Sequence, residues 1–294
     1  MLINGANLAV AQQENEALFR ESIKKATPKY AEACMMTTCT GSQKTYHLLD
    51  ELQGVSEWLG PRLMNELRAN SVTLVDKKWT DAVRVARTDY EDDNWGLIKA
   101  RFADMGKGFA NHPDELLAAL IKAGETDLAY DGLAFFSANH PTSTGVQSSL
   151  YNSALSRTVF EAAYAQHLQR TDYWGKPLGT VPTHLFFGPS LWATVRNILE
   201  VETIFEATYA GRNPNYGLVK PVMLPNLDNA SWMLADLSNS VKPFIFQERV
   251  AVEFAAQDQP NDDCVVYDDE FRYFGRARYA MGYAMWQFVT GYNP

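Results

Sequence analysis

The sequence predicts an α+β protein, and three observations support that class. A segment at about 94–123 places apolar residues at steps of three or four, the period of an amphipathic helix. Short runs rich in β-branched and aromatic residues lie on both sides of it, with turn residues between them. The 294 residues are 46% hydrophobic and 21% charged, as in globular chains. This length allows one large domain or two to three small ones.

Composition and charge exclude several classes of protein. Aromatic residues make up 12% of the chain, too many for a disordered protein, and no run approaches the roughly 20 apolar residues that cross a bilayer. The formal net charge of −9 argues against a protein that binds nucleic-acid phosphates over a broad surface. Cys34, Cys39 and Cys264 are too few for a disulfide framework and suit a reducing cytoplasm. Residues 1–16 lack a basic n-region, so we expect no signal peptide.

The first element is an amphipathic helix or arm over residues 5–26. It ends at Thr27-Pro28, because the residue before a proline avoids helical backbone angles. Its apolar members form a loose stripe of Leu8, Val10, Leu18, Phe19 and Ile23. A stripe of this kind does not hold an isolated helix together, so we expect the arm to pack on another surface.

Residues 60–88 favour strands, with partial alternation of apolar and polar side chains. Asp76-Lys77-Lys78 has the composition of a hairpin turn. A hairpin with a polar tip and half-apolar flanks is marginally stable alone in water. We therefore expect it to lie on this chain's core or to reach a neighbour.

The helix at 94–123 is the clearest element. Its stripe is Trp95, Ile98, Phe102, Met105 and Phe109, and it resumes at Leu116, Leu117, Leu120 and Ile121. Asp92, Asp93 and Asn94 stand where the free N–H groups and the helix dipole favour acceptors and negative charge. Pro113 inside the pattern predicts a kink or the start of a second helix, and Gly124 ends the pattern.

The rest of the chain alternates short elements. Helices are predicted at about 154–169 and after Pro189, and residues 141–150 and 211–217 are predicted loops. The predicted strands are THLFFG, residues 219–224, WMLADL, KPFIFQ, AVEFAA and residues 264–267.

The chain carries no recognisable catalytic motif: phosphate loop, dinucleotide fingerprint, nucleophile elbow and HExxH are all missing from the sequence. His112 and His140 each lie in an Asn-His-Pro tripeptide, where turn chemistry with the imidazole in a surface slot is a better explanation than a general base. Carboxylate clusters at 91–93, 262–263 and 268–270 fit a helix start and solvated strand ends better than a cation site. We expect no cofactor, no catalytic residue and no metal ion.

A set of strings, taken in order, carries a specific resemblance. They are EWLG from Glu57, RTDYEDD from Arg87, HPDEL from His112 with KAG from Lys122, YDG from Tyr130 with Phe135-Phe136 and His140-Pro141, KPFIFQ from Lys242, and the tail 276–291. Together they resemble the major head (capsid) protein of Mu-like bacteriophages over nearly the whole chain, more weakly over about 160–235.

This resemblance implies the Hong Kong 97 phage-type capsid fold. It divides the chain into an N-terminal arm (1–35), an extended β-hairpin loop region (36–93), a peripheral domain with the spine helix (94–153), an axial domain (154–240) and a return to the peripheral domain (241–294). Contacts between subunits are then expected near the tip of the extended loop and at an axial loop. The residues concerned are Lys77, Lys78 and Trp79 in the first, and Arg212, Asn213, Pro214, Asn215 and Tyr216 in the second.

The resemblance also implies a function. The chain would self-assemble through hexamers and pentamers into the icosahedral shell around the double-stranded DNA of a tailed phage, without enzymatic turnover. Its partners would be further copies of itself, a portal protein, a scaffold or protease and, as an open option, a decoration protein. DNA would be enclosed without sequence-specific binding, no membrane would take part, and assembly in the bacterial cytoplasm would yield the virion.

Two alternatives stay open at this point. An encapsulin-like compartment shell would have the same fold but an enzyme as its cargo. A hydrolase would use His112 or His140 with a nearby carboxylate, in a concave pocket that perturbs their pKa values.

Overall fold

The computed structural model describes residues 5–49, 69–92, 95–143, 145–206, 209–227 and 230–293. Its helices are α1 (Gly5–Lys25), α2 (Tyr30–Ala33), α3 (Arg87–Glu91), α4 (Trp95–Ala123), α5 (Arg157–Leu168), α6 (Trp192–Leu199) and α7 (Asp263–Tyr267). Its strands are β1 (Cys34–Thr38), β2 (Gln43–Leu49), β3 (Ala69–Val75), β4 (Lys77–Ala86), β5 (His140–Thr142), β6 (Gly145–Gln147), β7 (His184–Phe187), β8 (Thr203–Glu206), β9 (Tyr209–Arg212), β10 (Lys220–Met223), β11 (Trp232–Ala235), β12 (Phe244–Gln257), β13 (Glu270–Tyr283) and β14 (Val289–Tyr292). Helices and strands are mixed along the chain, as the α+β class predicts.

The first sheet has the order β1-β12-β13-β4 and is built on two long strands. β12 and β13 are antiparallel, β1 runs parallel to the start of β12, and β4 is antiparallel to β13. KPFIFQ and AVEFAA were predicted as separate strands, but both belong to β12. The register of β12 shifts between Glu248 and Val250 and again before Glu253, and these irregularities lie where the sequence suggested a turn.

The predicted spine helix is confirmed as α4, which continues through Pro113 without interruption. Its apolar stripe is buried at Ile98, Phe102, Met105 and Phe109. Asp92 ends α3, while Asp93 and Asn94 lie outside the described residues. The predicted arm is α1, which packs along α4 of the same chain: the Phe19 and Phe109 rings are 6.0 Å apart. Val10, expected in its apolar stripe, is instead exposed.

The hairpin predicted around Asp76-Lys77-Lys78 is wrong in its pairing. β3 ends at Val75 and β4 begins at Lys77, yet the two strands belong to different sheets. β3 pairs with β2, from Gln43 opposite Val75 to Leu49 opposite Ala69, whereas β4 pairs with β13. A turn signal indicates a change of direction and does not identify the partner strand. We call the β2–β3 pair the ribbon; residues 50–68, which join its strands, lie outside the described residues.

The second sheet has the order β10-β7-β11-β14 and is buried on both faces. Phe186 and Met233 face the main core, which also contains the spine-helix stripe. Leu185 and Trp232 alternate to the other face, under α5 and α6. β14 pairs with β11, so residues 289–292 belong to this sheet. The assignment of 241–294 as a return to the peripheral domain stays a prediction. The aromatic tail gives no sign in the sequence that it changes sheets near Trp286.

Two shorter predictions also differ from the structure. The predicted strand at 264–267 is wrong, because these residues form α7; a four-residue apolar run fits either a strand or a helix. The predicted loop at 141–150 contains the β5–β6 hairpin, and the predicted loop at 211–217 begins inside β9.

Candidate assembly surfaces and a buried histidine site

The base of the ribbon is fixed by the one residue between β3 and β4. The side chain of Asp76 is 1% exposed and its Oδ2 accepts hydrogen bonds from Nε and Nη2 of Arg278 at 2.7 and 2.6 Å. Arg249 Nη1 lies 3.3 Å from Oδ1, and the Asp76 backbone N–H donates to Ser42 O at 3.1 Å. Charge-assisted bonds from two strands of the first sheet therefore set the direction in which the ribbon leaves it.

The near half of the ribbon packs on the core of its own chain. Leu74 is buried with Ile245, Met285 and Phe288, and Tyr46 and Val72 pack against the same cluster. The Tyr46 hydroxyl donates to Gln247 Oε1 at 2.9 Å and lies 2.7 Å from Thr37 Oγ1. Thr45 and Thr73, which lie opposite each other between Leu74 and the Tyr46–Val72 pair, are hydrogen-bonded to each other at 2.8 Å in an exposed position. The part of the ribbon next to Asp76 is thus anchored to its own chain.

Lys77, Lys78 and Trp79, expected near the tip of the extended loop, lie at its base. They begin β4, where Lys78 is opposite Arg278 and Lys77 opposite Tyr279. Trp79 Nε1 donates to Tyr279 O at 3.0 Å, and the Trp79 ring is 4.2 Å from the His112 ring, so it packs within its own chain. The tip position is therefore wrong. Both lysines are exposed, and their role in contacts between subunits stays a prediction.

The predicted axial loop separates into inward and outward side chains. Asn213 is buried and its Nδ2 donates to Ile198 O and Val201 O, both at 2.8 Å. Asn215 is buried as well, and its Nδ2 donates to Glu161 Oε1 at 2.7 Å. These two amides hold the turn together, so they are not available to a neighbour. Arg212, Pro214 and Tyr216 are exposed and remain predicted contact residues.

His140 is fully buried, contrary to the surface slot that its Asn-His-Pro tripeptide suggested. Its Nδ1 lies 2.5 Å from Asp131 Oδ2 and its Nε2 lies 2.9 Å from Ser149 Oγ. The Trp286 ring stacks on the imidazole, with centroids 3.8 Å apart and planes 5° from parallel. The sequence gives no hint of this site, because its members meet only through the fold.

An aspartate, a histidine and a serine in line are also the parts of a nucleophilic relay. Here the Ser149 hydroxyl is buried and donates to Phe135 O at 2.8 Å, while it accepts from the Ser137 backbone N–H at 3.0 Å. The hydrogen bonds of this hydroxyl are thus made within the chain itself, which indicates that Asp131, His140 and Ser149 stabilise the fold.

His112, the other histidine of an Asn-His-Pro tripeptide, is half-buried. Its Nδ1 lies 2.7 Å from the Tyr279 hydroxyl, and burial lowers the pKa of His112.

A second buried polar centre lies beside the His140 site. The Arg170 guanidinium donates to four oxygens, namely Trp286 O, Gln287 O, Ser148 O and Thr290 Oγ1. Burial lowers the pKa of Arg170 to about 9, and burial together with the nearby Arg170 charge lowers the pKa of His167 to about 2. Arg170 thus joins the end of α5 to β14.

The carboxylate clusters behave as charged surface. Glu91 pairs with Arg87, and Asp268 pairs with Arg272. Within the described parts of the chain, no group of three His, Cys, Asp or Glu side chains is placed to hold a metal ion. None of the described helices combines the length and the hydropathy that a membrane span needs.

The chain is similar to one family model and to two curated proteins. A family model described as "Mu-like prophage major head subunit gpT" matches residues 8–164 and 223–293. The chain is 27% identical over 290 residues to the "Major capsid protein" of Escherichia phage Mu, covering 99% of this chain and 74% of that protein. It is also 27% identical over 270 residues to the "Mu-like prophage FluMu major head subunit" of Haemophilus influenzae, covering 92% and 67%.

Solved capsid structures are similar to this chain as well. The procapsid of bacteriophage JBD30 has a TM-score of 0.62 at 25% identity and covers 99% of this chain and 76% of that one. The JBD30 capsid "decorated with minor capsid protein trimers" has a TM-score of 0.58 at 22% identity, covering 69% and 92%. The fold is therefore the Hong Kong 97 phage capsid type, as the resemblance implied.

Proposed function

The chain belongs to the Mu-like prophage major head subunit family, and we propose that it builds the icosahedral head of a tailed, Mu-like phage around double-stranded DNA. It is a major head protein of this type, and the family match over most of its length is the observation that carries the proposal. Hexamers and pentamers of the chain are the building units we propose for the shell.

The physical chemistry of the subunit supports this role. We propose that the ribbon, anchored at Asp76, lies on a neighbouring copy, because a two-stranded ribbon gains stability when it packs on another surface. Repeated copies joined head to tail form closed rings when the rotation between them closes. The net charge of −9 repels packaged phosphates, so the shell encloses the duplex without gripping it.

We propose a portal protein and a scaffold or protease as further partners, and assembly in the host cytoplasm. Cys34, Cys39 and Cys264 are free thiols buried in the fold, which suits a reducing compartment. The JBD30 capsid, a structural relative, is decorated by a minor capsid protein, which supports a decoration partner here.

The alternatives receive less support. An encapsulin-like shell shares the fold, but the family match favours a phage head; packaged DNA rather than an enzyme cargo is the discriminating observation. For the hydrolase alternative, which would use His112 or His140, we propose no turnover. His140 is fully buried beside Asp131 and Ser149, and His112 packs against Trp79 and the Tyr279 hydroxyl. A serine-directed phosphonate probe that labels Ser149 in the folded protein would support the hydrolase.

Sedimentation velocity of the purified full chain at several concentrations tests the proposed function. We expect particles of many copies, expressed alone or with a scaffolding protein of a Mu-like phage. A 33.0 kDa monomer under every one of these conditions would overturn the proposal.

A further inference from the structure

An exposed apolar knob lies at the far end of the β12–β13 hairpin. Val266 and Tyr267 of α7 are 61% and 81% exposed, the latter among the most exposed large apolar side chains described. The preceding residues of the same helix, Cys264 and Val265, are buried in the main core. The knob is therefore carried on an anchored helix, and its exposure is not that of a loose chain end.

Four aspartates flank the knob in sequence: Asp262 and Asp263 before it, Asp268 and Asp269 after it. Asp268 lies 2.5 Å from Arg272, and Asp269 lies 3.7 Å from Arg87. Asp262 accepts from the Gln259 backbone N–H at 2.9 Å. Asp263 is exposed and forms no salt bridge with any described residue. The Asp263 carboxylate, beside the knob, therefore has no salt-bridge partner among the described residues of its own chain.

An apolar groove with basic residues at its edge runs between α1, α4 and β12. Its volume is about 380 Å³, within the range of pockets that take a ligand or side chain. Its apolar lining includes Ile23, Phe109, Pro113, Phe246 and Val252. Arg20 and Lys24 stand at its rim, and Glu248 is the acid that lines it. Arg20 is paired with Glu16, whereas Lys24 forms no salt bridge with any described residue.

The knob cannot fill the groove of its own chain. Val252 lines the groove, while Gln257, five residues further along the same strand, precedes the loop to α7. At a rise of about 3.3 Å per residue, these two positions are about 17 Å apart. Because Cys264 Sγ lies 3.6 Å from Gln257 O, α7 stays at this end of β12, and the knob is separated from the Val252 side of the groove within one subunit.

We propose that the knob of one copy docks in the groove of a second copy, with Val266 and Tyr267 on the apolar floor and Asp263 paired with Lys24. The two surfaces differ, so the contact is head to tail, and such contacts generate rings or extended arrays. An apolar anchor within a charged rim is the usual anatomy of a specific interface. This inference rests on the proposed function and names one contact through which the shell is built.

A charge exchange tests the pairing. We expect Lys24→Glu alone and Asp263→Lys alone to lose most shells in electron micrographs, and the combined Lys24→Glu/Asp263→Lys variant to recover them. Tyr267→Ala should also lose shells. Leu128→Ala, which removes another exposed apolar side chain, is the control and should assemble as the unmodified chain does. Single variants that assemble normally, or a double variant that recovers nothing, would overturn the docking.

A disulfide provides a second measurement that does not depend on shell yield. In a Lys24→Cys/Asp263→Cys variant, oxidation of assembled particles should produce a ladder of covalent oligomers, and neither single variant should. Particles that form but give no ladder would overturn the docking and leave the proposed function intact. If the unmodified chain forms no particles under any condition, the proposed function itself fails.

Discussion

Arg278 holds the buried carboxylate of Asp76 with two nitrogens, Nε at 2.7 Å and Nη2 at 2.6 Å from the same oxygen. Asp76 is the residue at which the chain passes from the ribbon to the first sheet, and Arg278 belongs to the central strand β13. The pair therefore fixes the base of the ribbon to the most extensively paired strand of the first sheet. Arg249 from β12 supports the same carboxylate at 3.3 Å.

Asp76→Ala should destabilise the subunit by about 3 kcal/mol, because it leaves two partly buried guanidinium groups without their anion. The free energy of unfolding in urea measures this change. Arg276→Ala is the matched control: Arg276 lies on the same strand and its pair with Glu253, at 3.4 Å, is exposed. Removal of that exposed pair should change the free energy by about 0.5 kcal/mol or less. Equal effects of the two substitutions would contradict a stabilising role for the ion pairs of Asp76 with Arg278 and Arg249.

The arm packs so closely on the spine helix that only glycine fits at one contact. A Cβ on Gly106 would lie 2.5 Å from the backbone oxygen of Phe19 in α1, whereas a Cβ on Gly108 would meet nothing within 4 Å. We expect Gly106→Ala to destabilise the subunit by about 1–3 kcal/mol through overpacking. Gly108→Ala, on the same helix, should stabilise it by about 0.5–1 kcal/mol through helix propensity. Thermal unfolding of both variants checks the pair, and a stabilising Gly106→Ala would show that α1 does not lie on α4.

The sequence predicted α4 well because its apolar residues recur at helical spacing. It placed α1 mainly from Thr27-Pro28, which ends it, whereas the loose stripe of α1 was wrong at the exposed Val10. It could not predict the ribbon, because both partner strands are distant in sequence. β3 pairs with β2, which precedes residues 50–68, and β4 pairs with β13, the strand that contains Arg278. The turn residues at Asp76 look the same whether the flanking strands pair with each other or with distant ones. The four apolar residues at 264–267 are likewise too short a run to distinguish a strand from a helix.

His167 should make stability depend on pH. Burial, with the charge of Arg170 adding to it, lowers the pKa of His167 from 6.5 to about 2, so the folded imidazole stays neutral while the unfolded one takes up a proton below about pH 6.5. Stability from this group is complete above that pH and declines by about 1.4 kcal/mol per pH unit below it, or about 2 kcal/mol between pH 6.5 and 5.

Urea titrations of the unmodified chain and of His167→Gln at pH 7 and pH 5 isolate this effect. Burial also lowers the pKa of His112 and His184 and raises the pKa of Asp114 and Asp258, and these contributions cancel in the difference between the two proteins. The unmodified chain should lose about 2 kcal/mol more than the variant on acidification. An identical loss in both would mean that His167 is accessible to protons in the folded state.

The ribbon should be dispensable for folding and required for shells. Replacement of residues 48–70 by an Asn-Gly turn keeps the His47 and Ser71 pair and the packed residues Tyr46, Val72 and Leu74. We expect a folded, soluble subunit with a near-native circular dichroism spectrum that builds no stable shells in electron micrographs. Normal assembly of this variant would mean that the ribbon is not an extended loop that joins subunits.

The candidate sites were less predictable than the fold. The Asn-His-Pro tripeptide around His140 indicated a surface turn, yet Asp131, Ser149 and Trp286 bury the imidazole through contacts that no local pattern reveals. Asn213 and Asn215 gave the appearance of a polar surface loop because amides suit both exposed turns and buried caps. The resemblance to Mu-like head proteins, carried by the order of several short strings, predicted the family that single motifs did not.

Electron microscopy of the purified full chain is the most direct test of the central claim. The proposed function predicts closed shells of uniform diameter, with hexamers and pentamers visible in averaged images, when the chain is expressed alone or with a scaffolding protein of a Mu-like phage. A folded chain that yields only monomers or irregular aggregates under both conditions would contradict it.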